Sequence, residues 1–216
     1  MITNTKNLIP SGDYSESFNS FIFDKVPINT KCLDVGCWTG NLGKLLIKEK
    51  GCVVDGIEGN DQVIKSAIKA GYRRVYQINL DYDREKITQL NQKYDLIIFA
   101  DVLEHLINPE YLLNTLKKNI KPDGKIIISV PNVAFVINRL ELLWGRWTYR
   151  EFGTLDKTHL RFYTLSSIDS LVKKSGYKVL ENIPYNQFGI LRHLTFLTKM
   201  FPRLFAYQTM LMAQPI

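Results

Sequence analysis

The sequence predicts an α/β fold, a Rossmann-like three-layer sandwich around a mostly parallel seven-stranded sheet with an antiparallel edge strand. Three observations carry that expectation. Short apolar runs alternate with segments of helical period across residues 31–131. A glycine-rich turn joins the first run to the first helix. Two late apolar runs are suited to antiparallel pairing at one side of the sheet. With 216 residues, 45% of them apolar and 12% aromatic, the chain suits one well-buried domain and is short for two.

Residues 1–30 are expected to form a helical segment, with Tyr14, Phe18 and the Phe21–Phe23 stretch either closing over a site or simply packing. The cofactor-binding half would span 31–131. Its strands are Lys31 to Val35, Val53 to Ile57, Arg74 to Gln77, Asp95 to Ala100 and Lys125 to Val130. Between the first two, Leu42, Leu45 and Leu46 recur at helical spacing over Asn41 to Lys50, and Gly51 ends the helix. Asp61 to Ala70 and Pro109 to Ile120 repeat the device, and Lys121-Pro122-Asp123-Gly124 reads as a tight turn. Residues 132–165 break the rhythm with tryptophan, tyrosine and arginine, and read as a substrate-side insertion. Residues 166–216 resume with a helix over Ser166 to Ser175, its capping box at Ser166 and Asp169. Strands over Tyr177 to Ile183 and Phe205 to Ala213 follow, with a short helix around Ile190 to Met200 between them.

The formal charge of +7 is unevenly placed: residues 1–136 hold 17 basic and 16 acidic side chains, residues 137–216 hold 11 and 5. The excess of +6 in the second stretch points to an anionic partner there, or only to a soluble surface. Cys32, Cys37 and Cys52 are an odd, unpatterned set, so neither a disulfide framework nor a metal site is expected. The polar first fifteen residues, and the lack of any apolar run of about 20 residues, give the expectation of an untargeted, cytoplasmic protein without a membrane span.

The string Asp34-Val35-Gly36-Cys37-Trp38-Thr39-Gly40 runs from strand through glycine turn into helix, where backbone N–H groups can face a nucleotide-like ligand. Glu58 ends the second strand, where a carboxylate can accept from ribose hydroxyls. A dinucleotide fingerprint needs glycine at position 38 for its pyrophosphate, so Trp38 disfavours a nicotinamide enzyme. The segment resembles motif I of the class I S-adenosylmethionine-dependent methyltransferases, D-V-G-C-G-x-G, with Trp38 as the departure. Tyr94 to Leu106 is similar to the family's fourth-strand motif, and Lys121-Pro122-Asp123-Gly124-Lys125 to its turn before strand five. Pro131-Asn132 and Thr158 to Thr164 resemble a small-molecule subgroup that includes enzymes of sugar and surface-glycan pathways.

The resemblance implies S-adenosylmethionine as cofactor. Asp34, Gly36, Cys37, Trp38 and Gly40 would lie at its methionine end, Glu58 at the ribose, Leu80 and Asp81 at the adenine, and Asp101 and Val102 beside it from the fourth strand. The cofactor carries the reactive methyl group, and the protein aligns the acceptor. An alcohol acceptor needs its proton taken, for which His105 and His159 are the candidates, and His193 reads as structural. Arg139, Trp147, Tyr149, Arg161 and Tyr163 would bind a small anionic acceptor such as a nucleotide-linked sugar or a phosphorylated or carboxylated metabolite. No nucleic acid is expected; the oligomeric state is open. An RNA or protein methyltransferase, a nicotinamide oxidoreductase and a non-catalytic cofactor-binding protein are the competing readings, because fold does not choose among them.

Overall fold

The computed structural model describes residues 19–186 and 195–216; Tyr14, Phe18 and His193 lie outside them. The elements are α1 Ser20–Lys25, β1 Lys31–Val35, α2 Asn41–Lys50, β2 Val53–Glu58, α3 Asp61–Lys69, β3 Arg74–Gln77, α4 Arg84–Thr88 and β4 Tyr94–Ala100, then α5 Pro109–Leu116, β5 Ile120–Pro131, α6 Val136–Leu143, α7 Leu165–Lys174, β6 Tyr177–Tyr185, α8 Thr195–Met200, α9 Pro202–Phe205 and β7 Gln208–Pro215. The seven strands form one sheet in the order β3-β2-β1-β4-β5-β7-β6. β7 runs antiparallel to both neighbours, so it sits one place in from the edge and β6 is outermost.

The strands read as continuous apolar runs because both faces of the sheet are covered. Their alternation divides the core. Leu33, Val35, Ile97, Phe99, Ile126 and Ile128 join α5 and α7 on one face, and Cys32, Leu96, Ile98 and Ile127 join α1, α2 and α3 on the other. β1 pairs with β2 on one side and β4 on the other, all parallel. The connections from β1 and β4 therefore leave in opposite directions, which opens a crevice at their carboxyl ends.

Local departures from the expected boundaries have identifiable causes. Lys121 to Gly124 is a bulge rather than a turn: between the pairs Tyr94↔Ile120 and Leu96↔Lys125, β5 has four residues against one on β4. A Cβ on Gly124 would lie 3.0 Å from the Tyr94 carbonyl oxygen, so glycine permits that approach. The cap of α7 is Thr164, which forms a capping box with Ser167, while Asp169 pairs with Lys173 one turn on. Phe205 belongs to α9 and not to the last strand.

Candidate active site

The turn after β1 is built from three left-handed residues, Gly36 (φ 69°), Trp38 (φ 49°) and Gly40 (φ 85°). Such torsions suit glycine and strain a bulky side chain. The Gly36 and Cys37 N–H groups both donate to the Ile57 carbonyl, at 2.8 and 3.0 Å, and this ties the turn to the end of β2. A Cβ at Gly36 would come within 2.9 Å of Val102 Cγ2, so the turn after β1 touches the segment after β4.

Beneath the turn lies Tyr72. Its hydroxyl donates to Asp34 Oδ2 at 2.6 Å and accepts from the Gly43 N–H at 3.1 Å. A Cβ at Gly43 would overlap the Tyr72 ring and hydroxyl, and one at Gly40 would lie 2.9 Å from both Ala67 Cα and the Tyr72 ring. These glycines let α2 and α3 close on the tyrosine. Burial raises the Asp34 carboxyl to about 7, against the lowering effect of the Tyr72 hydrogen bond; the Glu58 charge adds to the rise.

Three further acidic residues rim the crevice. Glu58 accepts from Trp38 N at 2.9 Å through Oε2 and from Asn60 N at 2.8 Å through Oε1. It thereby holds the turn after β1 and the start of α3 in one frame. Asp81, in the loop after β3, accepts the Ile107 N–H at 2.9 Å through Oδ1. Asp101 ends β4 in a left-handed conformation (φ 54°). Its Oδ1 receives the Ser129 hydroxyl and the Gln208 amide, each at 3.0 Å. Burial lifts its carboxyl to about 6 although Ser129, Gln208 and Asn19 hydrogen bonds pull it down. Asn19 caps α1 and donates to Tyr185 Oη and Ser129 Oγ, while Phe21 stacks on Tyr185 at 4.0 Å. These contacts dock α1 over the ends of β5 and β6.

The insertion folds back onto the short 3-10 turn Leu103–His105. Leu160 and Arg161 both donate their N–H groups to the Glu104 carbonyl, and the His105 and His159 rings meet edge-on at 4.8 Å. His105 Nδ1 lies 3.3 Å from the Thr158 carbonyl, which can only accept, so Nδ1 carries the proton and Nε2 holds the lone pair. Burial lowers both imidazoles, His159 to about 4 with help from neighbouring His105. The Glu104 side chain is buried with both oxygens lacking a partner, and burial raises its carboxyl well above the usual range, ahead of the smaller effect of Asp101.

The family model for a methyltransferase domain matches residues 13–182. The chain belongs to the class I S-adenosylmethionine-dependent methyltransferases. Among curated relatives, this methyltransferase is 26% identical over 152 residues to a protein of Coxiella burnetii named ubiquinone biosynthesis O-methyltransferase, covering 69% of the chain and 64% of that relative. A Rickettsia canadensis protein of the same name is 26% identical over 182 residues, covering 76% of each chain. The chain thus spans less than two thirds of the length of the first of these relatives. Among solved structures, a SAM-dependent methyltransferase from Archaeoglobus fulgidus superposes with a TM-score of 0.64 at 18% identity, covering 90% of this chain and 89% of that one. A magnesium protoporphyrin IX methyltransferase from Synechocystis with bound SAH gives 0.59 at 17% identity, covering 91% and 79%.

S-adenosylmethionine is the cofactor, and three features of the methyltransferase fit it. The Thr39 hydroxyl is buried in the glycine turn without a partner. No side chain caps the start of α2. The turn approaches Val102 as closely as glycine allows. Of the expected cofactor residues, Glu58 is the last of β2, and Gly36, Trp38, Gly40, Leu80, Asp81, Asp101 and Val102 belong to the loops that follow β1, β3 and β4. Asp34 is only 3% exposed and is paired with Tyr72 below the turn. The Cys37 thiol is buried too, facing Gly56 of β2.

The expected acceptor residues do not converge. Tyr163 is a core residue, its hydroxyl 3.4 Å from the Leu103 carbonyl. Arg161 donates to the Ile107 carbonyl at 2.6 Å, so Arg161 and Asp81 hold the two sides of residue 107. Arg139 bonds the carbonyls of Ala134 and Arg203, which joins α6 to α9. Trp147 and Tyr149 do stand together, around Phe162 at 5.6 and 6.4 Å, and Phe162 reaches His159 at 6.2 Å. Sequence reasoning missed Tyr72, Ser129, Gln208, Asn19 and Phe162, whose partners come from distant elements. The glycine at position 43, one turn into α2, was the available sign of a close neighbour such as Tyr72.

The raised carboxyls have a consequence for stability. Between the unfolded value of 3.8 and the folded values of about 7 for Asp34 and about 6 for Asp101, the folded chain keeps protons that the unfolded chain releases. Stability from these groups is complete below the unfolded value and falls as pH rises through the folded ones. Melting is expected at lower temperature at about pH 8 than at about pH 5. Glu104→Gln should flatten that slope, because burial raises this carboxyl above its usual range as well. A melting temperature that climbs with pH over this range would contradict the assignment.

Proposed function

We propose that the chain transfers the methyl group of S-adenosylmethionine to a hydroxyl of a small anionic acceptor. The observation that carries the acceptor's charge is a cleft of about 130 Å³ beyond the end of β5, lined by Asn132, Ala134, Arg139, Thr164, Leu165, Ser166 and Arg203. A lining that includes Arg139, Arg203, Thr164 and Ser166 suits a phosphate or carboxylate, in keeping with the excess of +6 in residues 137–216. Transfer to oxygen is supported by the relatives named O-methyltransferases. Trp147, Tyr149 and Phe162 offer aromatic faces for the uncharged part of the acceptor.

The cofactor supplies an electrophilic methyl group on a sulfonium sulfur. Glu58 would accept from the ribose hydroxyls while its two backbone bonds keep it oriented, and Asp81, beside Leu80, would accept from the adenine amino group. Gly36, Trp38 and Gly40 set the turn at the methionine end. His105 Nε2 would take the acceptor's hydroxyl proton while the oxygen displaces sulfur from the methyl carbon, the C–S bond breaking as the C–O bond forms and the neutral thioether leaving; Thr158 holds the ring in the tautomer that makes this possible. His159, lowered to about 4, is the weaker base and orients His105. Because the His105 imidazole is held below its ordinary 6.5, the acid limb of kcat/KM is expected below that value and is expected to be missing from the residual activity of His105→Gln. An unchanged limb in that variant would remove His105 from the role.

A second reading rests on one observation: donor atoms of Glu104, His105 and His159 lie within 4.8 Å of one another, close enough to hold a cation. Turnover that survives a chelator supports the proton-acceptor role, and loss restored by Mg²⁺ or Zn²⁺ supports a metal centre. The acceptor class is tested with labelled S-adenosylmethionine against nucleotide sugars, phosphorylated metabolites and carboxylic acids, and against neutral analogues of each. Arg203→Ala is expected to raise KM for the anionic acceptors. Methylation of neutral acceptors alone would overturn the charge assignment.

A further inference from the structure

Residues 142–150, with the sequence Leu-Leu-Trp-Gly-Arg-Trp-Thr-Tyr-Arg, are nine consecutive exposed positions. Leu143 and Trp144 are 80% and 79% exposed, an extreme for side chains whose transfer from water is strongly favourable. The turn that presents them stands clear of the fold, because a Cβ at Gly145 would meet no atom within 4 Å. The adjoining surface has the same character. Arg139 links α6 to Arg203 in α9 at 3.1 Å, and neighbouring α8 and its end expose Phe196, Met200 and Phe201. No acidic side chain occurs between 142 and 150; Glu141, just before, is paired with Arg150.

We propose that this face docks on the surface of an anionic lipid bilayer. Leu142, Leu143 and Trp144 enter the boundary between headgroups and acyl chains, and Arg146 contacts lipid phosphates. Exposed apolar area of this extent marks a site of association. Leucine and tryptophan set directly beside arginine, within a stretch of excess positive charge, match the layered chemistry of a bilayer surface, apolar below and anionic above. Among the described residues no helix is long and apolar enough to cross a membrane, so the attachment lies on the surface. The inference does not depend on which acceptor is methylated.

The test is co-sedimentation of the chain with vesicles of phosphatidylcholine alone and of phosphatidylcholine mixed with phosphatidylglycerol. Binding is expected to the mixed vesicles, weakened by salt, and at least about tenfold lower in the Leu143→Ser/Trp144→Ser double variant. Arg146→Glu should weaken it as well. Cofactor affinity of the double variant, unchanged in titration calorimetry, shows that it folds and separates this result from the assignment of the active site. Absence of binding to the mixed vesicles, or equal binding by the double variant, overturns the proposal. So does a chain that ignores vesicles and instead self-associates, or binds RNA, through the same residues.

Discussion

Glu58→Ala is expected to weaken S-adenosylmethionine binding by about 100-fold or more in titration calorimetry. Hydrogen bonds to a carboxylate contribute about 1.5–3 kcal/mol each, so loss of the bonds proposed to the two ribose hydroxyls amounts to about 3 kcal/mol, or about two powers of ten in Kd. A second effect acts in the same direction. The Trp38 and Asn60 N–H groups both end on this carboxylate, at 2.9 and 2.8 Å, and alanine leaves both donors unmatched. The turn after β1 then loses its fixed relation to α3, and preorganisation is lost along with direct contact. Glu58→Gln separates the two, since its amide oxygen still accepts from one N–H while its NH2 cannot accept from the other. Its affinity should fall between those of wild type and Glu58→Ala. Unchanged affinity in Glu58→Ala, together with a lower melting temperature, would leave Glu58 a purely structural brace.

Gly43→Ala is expected to destabilise the fold by about 3 kcal/mol, which lowers Tm by roughly 6–12 °C for a domain of this size. Alanine is ordinarily the better residue inside a helix, by about 1 kcal/mol over glycine, so propensity alone gives the opposite sign. Sterics decide it. The added Cβ would overlap the Tyr72 ring and hydroxyl, and Tyr72 is 5% exposed beneath α2. Moving the ring breaks its hydroxyl's bond to Asp34 and leaves a buried carboxylate without a donor. In a Tyr72→Leu background the same change should cost much less, because the two residues share one volume. Equal losses in both backgrounds, measured by thermal melts, would place the cause elsewhere.

Much of this architecture is written in local pattern. The runs 31–35 and 74–77 are strands with the expected bounds, the first because its residues are almost all buried between the two faces of the sheet, the second as a short edge strand that follows the turn at Gly71. The glycine turn was legible for a similar reason: left-handed torsions at Gly36 and Gly40 restrict the choice of residue. Trp38 breaks that restriction at φ 49° and keeps its place through the Glu58 bond to its N–H. The places of Glu58 at the end of β2 and of Asp81 in the loop after β3 were legible from strand order alone.

The side-chain contacts that the sequence did not reveal all involve partners far along the chain. Asp34 meets a hydroxyl 38 residues away, Arg161 a carbonyl 54 residues away and Tyr163 a carbonyl 60 residues away. An arginine among aromatics has the same composition whether it faces a ligand or a neighbouring loop. By itself, then, the sequence determined the order of the elements and the glycine turn with Trp38 in it, because backbone torsion and burial periodicity act over a few residues. Only the tertiary structure decided that Asp34 supports the turn from below, that Arg161 braces Ile107 and that the His105 and His159 rings meet edge-on. The sheet order brings those groups together, and burial, which no local pattern reports, sets their charge.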